Sequence, residues 1–198
     1  MKPSRPFLPR EFVVSHRRSR ILDAVAELSA EQGYETMTVS DIVKRAGIAR
    51  KTLYESYGGK EEVFLAAVDA AFAAVRERVE EACAAGEAEN PWRDRVDAAL
   101  AALLAHLADH PAEAQMLILE APAATAASAV RYRATVERFT ELLADATPEA
   151  GDPSGAIVEG IVGGVVSILK RQVRRGEIAR ATELGEELSN FVLAHWVR

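Results

Sequence analysis

The stretch that decides the fold lies at residues 38–57 and reads TVSDIVKRAGIARKTLYESY. Thr38 and Asp41 have the spacing of a capping box, in which the hydroxyl accepts from the fourth residue's amide and the carboxylate reaches back. A short helix follows and ends at Gly47, since glycine adopts the backbone angles of a tight turn without strain. Another helix opens near Ala49. Two short helices joined by a glycine turn have the spacing of a helix-turn-helix.

The second helix of this motif has a mixed surface. Its first half carries two cations and a hydroxyl, at Arg50, Lys51 and Thr52, whereas Leu53 and Tyr57 can face inward. Such a helix fits the major groove of DNA, where cations meet phosphates or guanine edges. The pattern also fits an ordinary helical hairpin with a basic surface. Spacing alone therefore favours DNA binding and leaves the hairpin as the alternative.

Composition extends the helical prediction to the whole chain. Of 198 residues, 49% are apolar and 27% charged, which supports a packed core. There are 37 alanines against 12 glycines and 8 prolines, and alanine is the strongest helix former. We therefore predict an all-α fold of about nine helices without strands. The single cysteine excludes a disulfide within the chain and a cysteine-based zinc finger.

Cap and stop residues divide the chain into three parts. Residues 1–15 hold three prolines and little periodicity, which predicts a flexible basic arm. Residues 16–62, called the head below, form the predicted helix-turn-helix domain with three helices. Residues 63–198, called the body, are predicted to be helical throughout. Apolar periodicity and caps place the main helices at His16–Gln32, from Lys60, from Pro91, from Pro153 to Gly176, and at Thr182–Val197.

The charge divides along the same line. Residues 1–60 hold 11 Lys+Arg and 7 Asp+Glu, a net +4, whereas residues 61–198 hold 13 and 23, a net −10. A basic head on an acidic body predicts that the head alone meets a polyanion. A solvated basic tail is the alternative explanation of the same charges.

Nothing in the sequence indicates export or a membrane span. There is no cationic start followed by an apolar signal core. The most apolar stretch, Ile157–Leu169, holds Glu159 and three glycines and is too short to cross a bilayer. We therefore expect a soluble cytoplasmic protein without a membrane partner.

Residues 17–77 resemble the N-terminal domain of TetR-family transcriptional regulators. The matching residues are Gly33, Thr38, Ile42, Ala46-Gly47-Ile48, Thr52-Leu53-Tyr54, Tyr57, Lys60-Glu61 and Phe64. Beyond residue 77 the chain shares only the number of helices and the overall length with the family. Members of the family are homodimers that read DNA with the third helix and bind a small molecule in the C-terminal domain, which weakens DNA binding. The resemblance implies a dimeric regulator of a palindromic operator, a repressor released by a small-molecule effector.

The resemblance assigns seven DNA-binding residues to this chain. Phosphates would be held by Ser40 and Lys60, because each lies at a helix N-terminus. Arg50, Lys51 and Thr52 of the third helix would contact base edges or the flanking phosphates. Tyr54 and Tyr57 would donate hydroxyl hydrogen bonds to phosphates. Two departures from the family pattern are Ala49, where Ser or Thr often caps the third helix, and Gly58-Gly59 before the Lys-Glu pair.

The body is expected to supply a dimer surface and a ligand pocket. Glycines one turn apart allow a partner helix to approach closely, and the predicted dimer residues are Ile157, Gly160, Ile161, Gly164, Ile168, Leu184, Leu188, Phe191 and His195. Packing within the monomer is the alternative for both helices. The predicted ligand residues are Leu103, His106, His110, Gln115, Met116, Leu119, Glu120, Tyr132 and Phe139. Apolar, alanine-rich walls favour a hydrophobic effector.

The sequence offers little support for other functions. His106 and His110 lie four residues apart on one helix face, but no third ligand is placed beside them, so no metal or other cofactor is predicted. We find no glycine-rich phosphate loop, no His-Glu-x-x-His and no nucleophile elbow, and therefore predict no enzymatic activity. An enzyme on a helical scaffold and a helical protein-interaction module that has lost DNA binding remain the alternatives.

Overall fold

The computed structural model describes residues 10–84, 91–145 and 155–194, and every regular element within them is helical. The nine α-helices are α1 (Arg10–Thr36), α2 (Val39–Ala46), α3 (Arg50–Tyr54), α4 (Lys60–Ala84), α5 (Pro91–Asp109), α6 (Pro111–Gln115), α7 (Ala126–Asp145), α8 (Gly155–Arg175) and α9 (Gly185–Leu193). A π-helix, Met116–Glu120, follows α6, and a 3₁₀-helix, Ile178–Leu184, precedes α9. The prediction of an all-α chain is confirmed. None of these helices is both long and apolar enough to span a membrane.

Helix α1 differs from its predicted bounds at one end and matches them at the other. It begins at Arg10, so the last six residues of the predicted arm are helical, because no proline or glycine interrupts residues 10–15. Residues 1–9 of that arm lie outside the described residues. At the other end the helical backbone breaks at Gly33, with φ 77° and ψ 159°, as the predicted stop requires. Only glycine adopts such angles readily.

The head is held together by caps and ion pairs around α2. Thr38 Oγ1 accepts from Asp41 N, and the Asp41 carboxylate accepts from Thr38 N, so the predicted capping box is confirmed. Arg45 fixes α2 to α1 by ion pairs with Glu27 and Glu31, whose oxygens lie 2.8 and 2.6 Å from its nitrogens. All three side chains are substantially exposed, so these pairs orient α2 more than they stabilise it.

Two clusters of buried apolar side chains form the core. The head cluster combines α1, α2 and α3 with α4 as far as Val79, and adds Met116, Leu117 and Ala121. The body cluster combines α5, α8, the 3₁₀-helix and α9, and adds Ala114 and Ile118. The segment that leaves α6 and forms the π-helix therefore contributes side chains to both clusters. The predicted boundary at residue 62 falls in the first turn of α4, which packs into the head cluster.

Candidate DNA-binding surface and ligand cavity

Helix α3 stands on the surface with one buried side chain beneath it. Leu53 is fully buried in the head cluster, whereas Arg50, Lys51 and Tyr54 are exposed. The Arg50 guanidinium lies over the Tyr54 ring, 5.8 Å from its centroid, which is cation–π range. The helix therefore presents two cations to solvent, one of them oriented by an aromatic ring.

The turn before α3 is fixed from both sides. Gly47 has φ 62° and ψ 42°, the left-handed conformation, and its N–H donates to Lys44 O at 3.3 Å. Ile48 N donates to Val43 O at 3.0 Å, which completes a helix-ending motif of the Schellman type. From α1, Arg20 Nη2 donates to Ala46 O and lies 3.4 Å from Gly47 O. Arg20 of α1 thus holds the turn that positions α3.

The N-terminus of α3 has no side-chain cap. Ala49 occupies the cap position in extended conformation and accepts no hydrogen bond through its side chain. A Ser or Thr there would contribute about 1 kcal/mol. The five-residue helix therefore depends on Leu53 and the fixed turn for its position.

Lys60 already has two partners within the head. Its Nζ donates to Tyr34 O at 3.1 Å and to Glu35 O at 3.2 Å, and it lies 4.2 Å from the centroid of the Tyr34 ring. These carbonyls belong to the last turn of α1, where a cation is favoured. An ammonium carries three N–H donors, so one is left for a phosphate. A phosphate contact by Lys60 stays a prediction.

The remaining predicted DNA-binding residues also lie in the head. Ser40 is exposed as the second residue of α2, next to the capping box. Thr52 is half-buried on α3. Tyr57 is half-buried and packs against the head cluster, so its ring belongs to the core. All seven predicted DNA-binding residues thus lie in the head, on α2, on α3, after α3 and at the start of α4.

The body holds a large apolar cavity. It has a volume of about 480 Å³ and lies between α4, α5, α7 and α8. A volume of this size is typical of small-molecule sites. Most of the lining side chains are apolar, such as Phe72, Val75, Leu103, Phe139 and Val165. The α4 and α8 contributions were not among the predicted ligand residues, because in the sequence a cavity wall has the same apolar stripe as a core face.

Few polar groups line this cavity. Burial raises the pKa of the Cys83 thiol and of the Tyr132 hydroxyl, so both groups are neutral at physiological pH. Thr135 Oγ1 donates to Arg131 O at 3.0 Å, which occupies its proton. Among the described residues that line the cavity, the charged ones are Glu80, Arg95 and Asp145.

Three of the nine predicted ligand residues line the cavity, namely Leu103, Tyr132 and Phe139. The structure places the other six elsewhere: His106, His110, Gln115, Met116, Leu119 and Glu120. Met116 is buried in the head cluster, and Leu119 packs against the body cluster.

Gln115 and Glu120 connect the body to the end of α1 instead. Gln115 Nε2 donates to Ala30 O at 2.6 Å. Glu120 Oε2 accepts from Tyr34 N at 2.8 Å, directly after the break at Gly33. Both side chains therefore satisfy backbone groups that the end of α1 leaves unpaired.

His106 is buried in a small ionisable cluster. Its Nε2 lies 3.4 Å from Glu113 Oε2, and its ring centroid lies 4.7 Å from that of His110. Burial lowers the pKa of His106, aided by His110 and Arg78 and opposed by Glu113. Among the described residues no three metal-ligating side chains converge, here or elsewhere.

This shift predicts a loss of stability in mild acid. Because the folded-state pKa of His106 is lowered, the unfolded chain binds more protons once the pH falls below about 6.5. We expect the free energy of unfolding to fall between pH 7.5 and 5.5, and His106→Gln to flatten that fall in denaturant titrations. His16→Gln, which removes a histidine at an exposed position, is the control. An unchanged slope in His106→Gln would assign the acid sensitivity to other groups.

The predicted dimer residues divide into buried and accessible ones. Ile161 and Leu188 are fully buried in the body cluster, so they pack within the protomer. Gly164 faces the Phe191 ring, and an added Cβ would lie 2.7 Å from Phe191 Cζ. The exposed residues of the set are Ile157 and Gly160, and the half-buried ones include Ile168 and Leu184. His195 lies outside the described residues.

A compact three-helix head with its last helix exposed on a glycine turn defines a helix-turn-helix DNA-binding domain. Comparison with known proteins gives the family. Residues 21–67 match the family model described as "Bacterial regulatory proteins, tetR family". An uncharacterized HTH-type transcriptional regulator, YezE of Bacillus subtilis, is 38% identical over 78 residues, 37% of this chain. Residues 21–67 therefore match the N-terminal domain of TetR-family regulators. The match spans about two fifths of YezE, 39% of its length.

Solved structures extend the likeness of fold to the body. The fatty acid degradation regulator FadR from Bacillus halodurans has a TM-score of 0.79 at 18% identity, and the match covers 97% of each chain. FadR from Bacillus subtilis, solved in complex with stearoyl-CoA, has a TM-score of 0.76 at 18% identity, covering 89% of this chain and 98% of that one. The whole described chain thus has the fold of these regulators.

Proposed function

We propose that the chain is a dimeric, sequence-specific DNA-binding regulator, a repressor that an apolar small molecule releases from its operator. The observation that carries the proposal concerns the π-helix Met116–Glu120. Leu117 and Ile118 line the cavity, while Glu120, at the end of the same five residues, binds the backbone of the head. One short segment is therefore both a wall of the ligand site and a support of the DNA-binding domain.

The DNA contact of this proposal is made by α3. An exposed helix with Arg50 and Lys51 at its start fits the major groove, where an arginine or lysine binds guanine O6 and N7. Ser40 and Lys60 lie at the starts of α2 and α4 and would contact phosphates on either side. The electrostatic division of the chain supports this orientation, because the acidic body would face away from DNA.

The dimer of this proposal forms through α8. The side of α8 away from the body cluster carries Ile157, Gly160, Gly163 and Ser167, all exposed in the protomer. An isoleucine flanked by small residues allows two copies of the helix to approach closely around a two-fold axis. Two heads related by that axis would read two half-sites about 34 Å apart.

Two structural connections join the cavity to the head. The first runs through the π-helix: Glu120 binds Tyr34 N, and Tyr34 O accepts from Lys60 Nζ at the start of α4. The second is α4 itself, whose first turns pack in the head cluster and whose later residues, such as Phe72 and Val75, line the cavity. A ligand can favour a different position of the π-helix or of α4. It then shifts the population of dimers away from those whose two heads have the spacing of the operator half-sites.

The chemistry of the cavity supports a lipophilic effector. Its lining is predominantly aliphatic and aromatic, and burial of such surface contributes about 25 cal/mol per Å² to binding. The Bacillus subtilis FadR structure, similar in fold, contains stearoyl-CoA, whose acyl chain is an example of a lipophilic ligand in this fold.

Selection of bound sequences from a random DNA pool tests the proposal. We expect the purified protein to enrich a palindrome with half-sites one helical turn apart, with affinity that falls steeply with salt because phosphate contacts release counterions. Enrichment of a single half-site would contradict the dimer. Absence of any enrichment from a folded, dimeric protein would contradict DNA binding by the ligand-free form.

Lys60→Ala should weaken binding to every DNA sequence alike. Loss of one phosphate contact per subunit should make the slope of log K against log salt shallower by about one unit per subunit. The variant also loses the bonds to Tyr34 O and Glu35 O, so thermal melting should be measured alongside filter binding. Lys60→Arg, which keeps the charge, is the control. An unaltered slope in Lys60→Ala would make Lys60 purely a structural residue.

Glu120→Ala should weaken the support of the head. It leaves the partly buried Tyr34 N–H without its partner, which costs about 1–3 kcal/mol. We expect faster hydrogen exchange at Tyr34 and its neighbours and at least five-fold weaker operator binding. Glu120→Gln keeps an oxygen acceptor at the same position and should retain most of both properties. Equal behaviour of the two variants would show that the hydrogen bond is not the coupling element.

A further inference from the structure

The cavity also indicates which class of molecule it binds, an inference that rests on the proposed function. Tyr132 is its distinctive polar group. Its ring packs 6.4 Å from that of Phe72, centroid to centroid, and its hydroxyl has no hydrogen-bond partner among the described residues. Thr135, the other hydroxyl of the lining, has its proton engaged with Arg131 O. Tyr132 is half-buried, so its hydroxyl at the wall of the apolar cavity is available to donate to an acceptor on a ligand.

The charges of the lining disfavour an anionic ligand. The described charged lining residues are two carboxylates, Glu80 and Asp145, and one guanidinium, Arg95, which has interactions of its own. Glu80 and Asp145 are exposed. Arg76 Nε lies 3.8 Å from Glu80 Oε1, and Arg95 already has interactions, so the described lining offers no unengaged cation to a fatty carboxylate or to the phosphates of a coenzyme A thioester. Placing an unpaired carboxylate deeper, among aliphatic side chains, is costlier still.

We propose that the cavity takes an uncharged lipophilic molecule with an oxygen acceptor, of the class of ketones, esters and aldehydes, and that the Tyr132 hydroxyl donates to this oxygen. The aliphatic lining supplies affinity, and each buried methylene tightens binding about four-fold until the cavity is full. Tyr132 supplies orientation and selects for the oxygen.

Cys83 gives a readout that does not involve DNA. It is the single cysteine of the chain, it is half-buried and it lines the cavity. The rate of its alkylation by N-ethylmaleimide is measured in the full-length protein with undecan-2-one, undecanoate or undecanoyl-CoA. We expect undecan-2-one to slow the alkylation of Cys83 at a concentration at least ten-fold lower than undecanoate does. Undecanoyl-CoA should need a higher concentration than undecanoate.

Two variants show that the effect comes from this site. Tyr132→Phe should weaken protection by undecan-2-one by about two- to ten-fold, the loss of one hydrogen bond. Leu103→Trp narrows the cavity and should weaken protection by every probe, with thermal melting to confirm that the variant folds. Glu80→Gln combined with Asp145→Asn should narrow the preference for the ketone over undecanoate at low ionic strength.

Three results would overturn the proposal. Stronger protection by undecanoyl-CoA or undecanoate than by the ketone would assign the site to that anion. An unchanged ketone affinity in Tyr132→Phe would remove the role of the hydroxyl. Absence of protection by every probe would show that the cavity takes none of these lipids. Because alkylation needs no operator, each of these results is distinguishable from a failure of DNA binding.

Discussion

Replacement of Gly47 by alanine should lower the melting temperature of the protein and abolish operator binding. The φ of 62° places this residue in the left-handed region, which costs a residue with a Cβ about 1–2 kcal/mol. An added Cβ would also lie 2.5 Å from Arg20 Nη2, closer than real Cβ contacts, so the guanidinium must leave Ala46 O. We expect a loss of about 2–3 kcal/mol in the free energy of unfolding, because the two costs act together.

The free energy of unfolding is measured by thermal and denaturant unfolding at a fixed protomer concentration. Operator affinity is measured by the fluorescence anisotropy of labelled DNA. A loss of this size should lower the melting temperature by roughly 5–10 °C in a chain of this length. Gly59→Ala is the matched control, because no atom lies within 4 Å of its added Cβ and its φ is not positive. Wild-type operator affinity in Gly47→Ala would show that the turn does not set the position of α3.

The combined substitution Arg50→Ala and Lys51→Ala should remove sequence-specific binding while leaving the fold intact. Both side chains are exposed, and Leu53, which holds α3 to the head, is untouched. A base contact by arginine or lysine contributes about 1–3 kcal/mol. With two such residues in each of two subunits, we expect operator affinity to fall at least about a thousand-fold.

The control for this variant removes the same charge elsewhere. Arg174→Ala with Arg175→Ala deletes two cations from the last turn of α8, outside the head, and should change operator affinity little. The single variants separate two roles. If Arg50→Ala or Lys51→Ala alters the selected sequence, that residue reads a base. Equal losses on all sequences would assign both residues to the phosphate backbone.

The head was predictable because its determinants are local. The capping box at Thr38, the stop at Gly33 and the left-handed Gly47 are each fixed by residues within one turn of the chain. Arg20 was not predictable, because its bond to Ala46 O joins residues 26 apart in sequence. The π-helix was not predictable either, since its residues have an ordinary helical composition.

The sequence predicts that the body is helical, but it does not predict which side chains contact each other there. Periodicity shows that one face of a helix is buried but does not show against which neighbour. Gln115 and Glu120 were therefore predicted as polar residues of the ligand pocket. In the fold they bind backbone groups of α1 that lie 85 and 86 residues away in sequence. Ile161 and Leu188 lie on apolar stripes for the same reason and pack within the protomer. The dimer surface and the DNA contacts stay predictions.

The sharing of the segment Ala114–Ala121 between the two clusters has a consequence for cooperativity. A polypeptide that ends at residue 62 would lack Val63, Phe64, Met116 and Leu117 from the core of its own domain, so the head is not an independent folding unit. We expect one unfolding transition for the whole chain rather than two. A molecule bound between α4 and α8 would then slow amide exchange in α2, which it does not touch, because the opening of α2 and of the cavity belongs to one equilibrium.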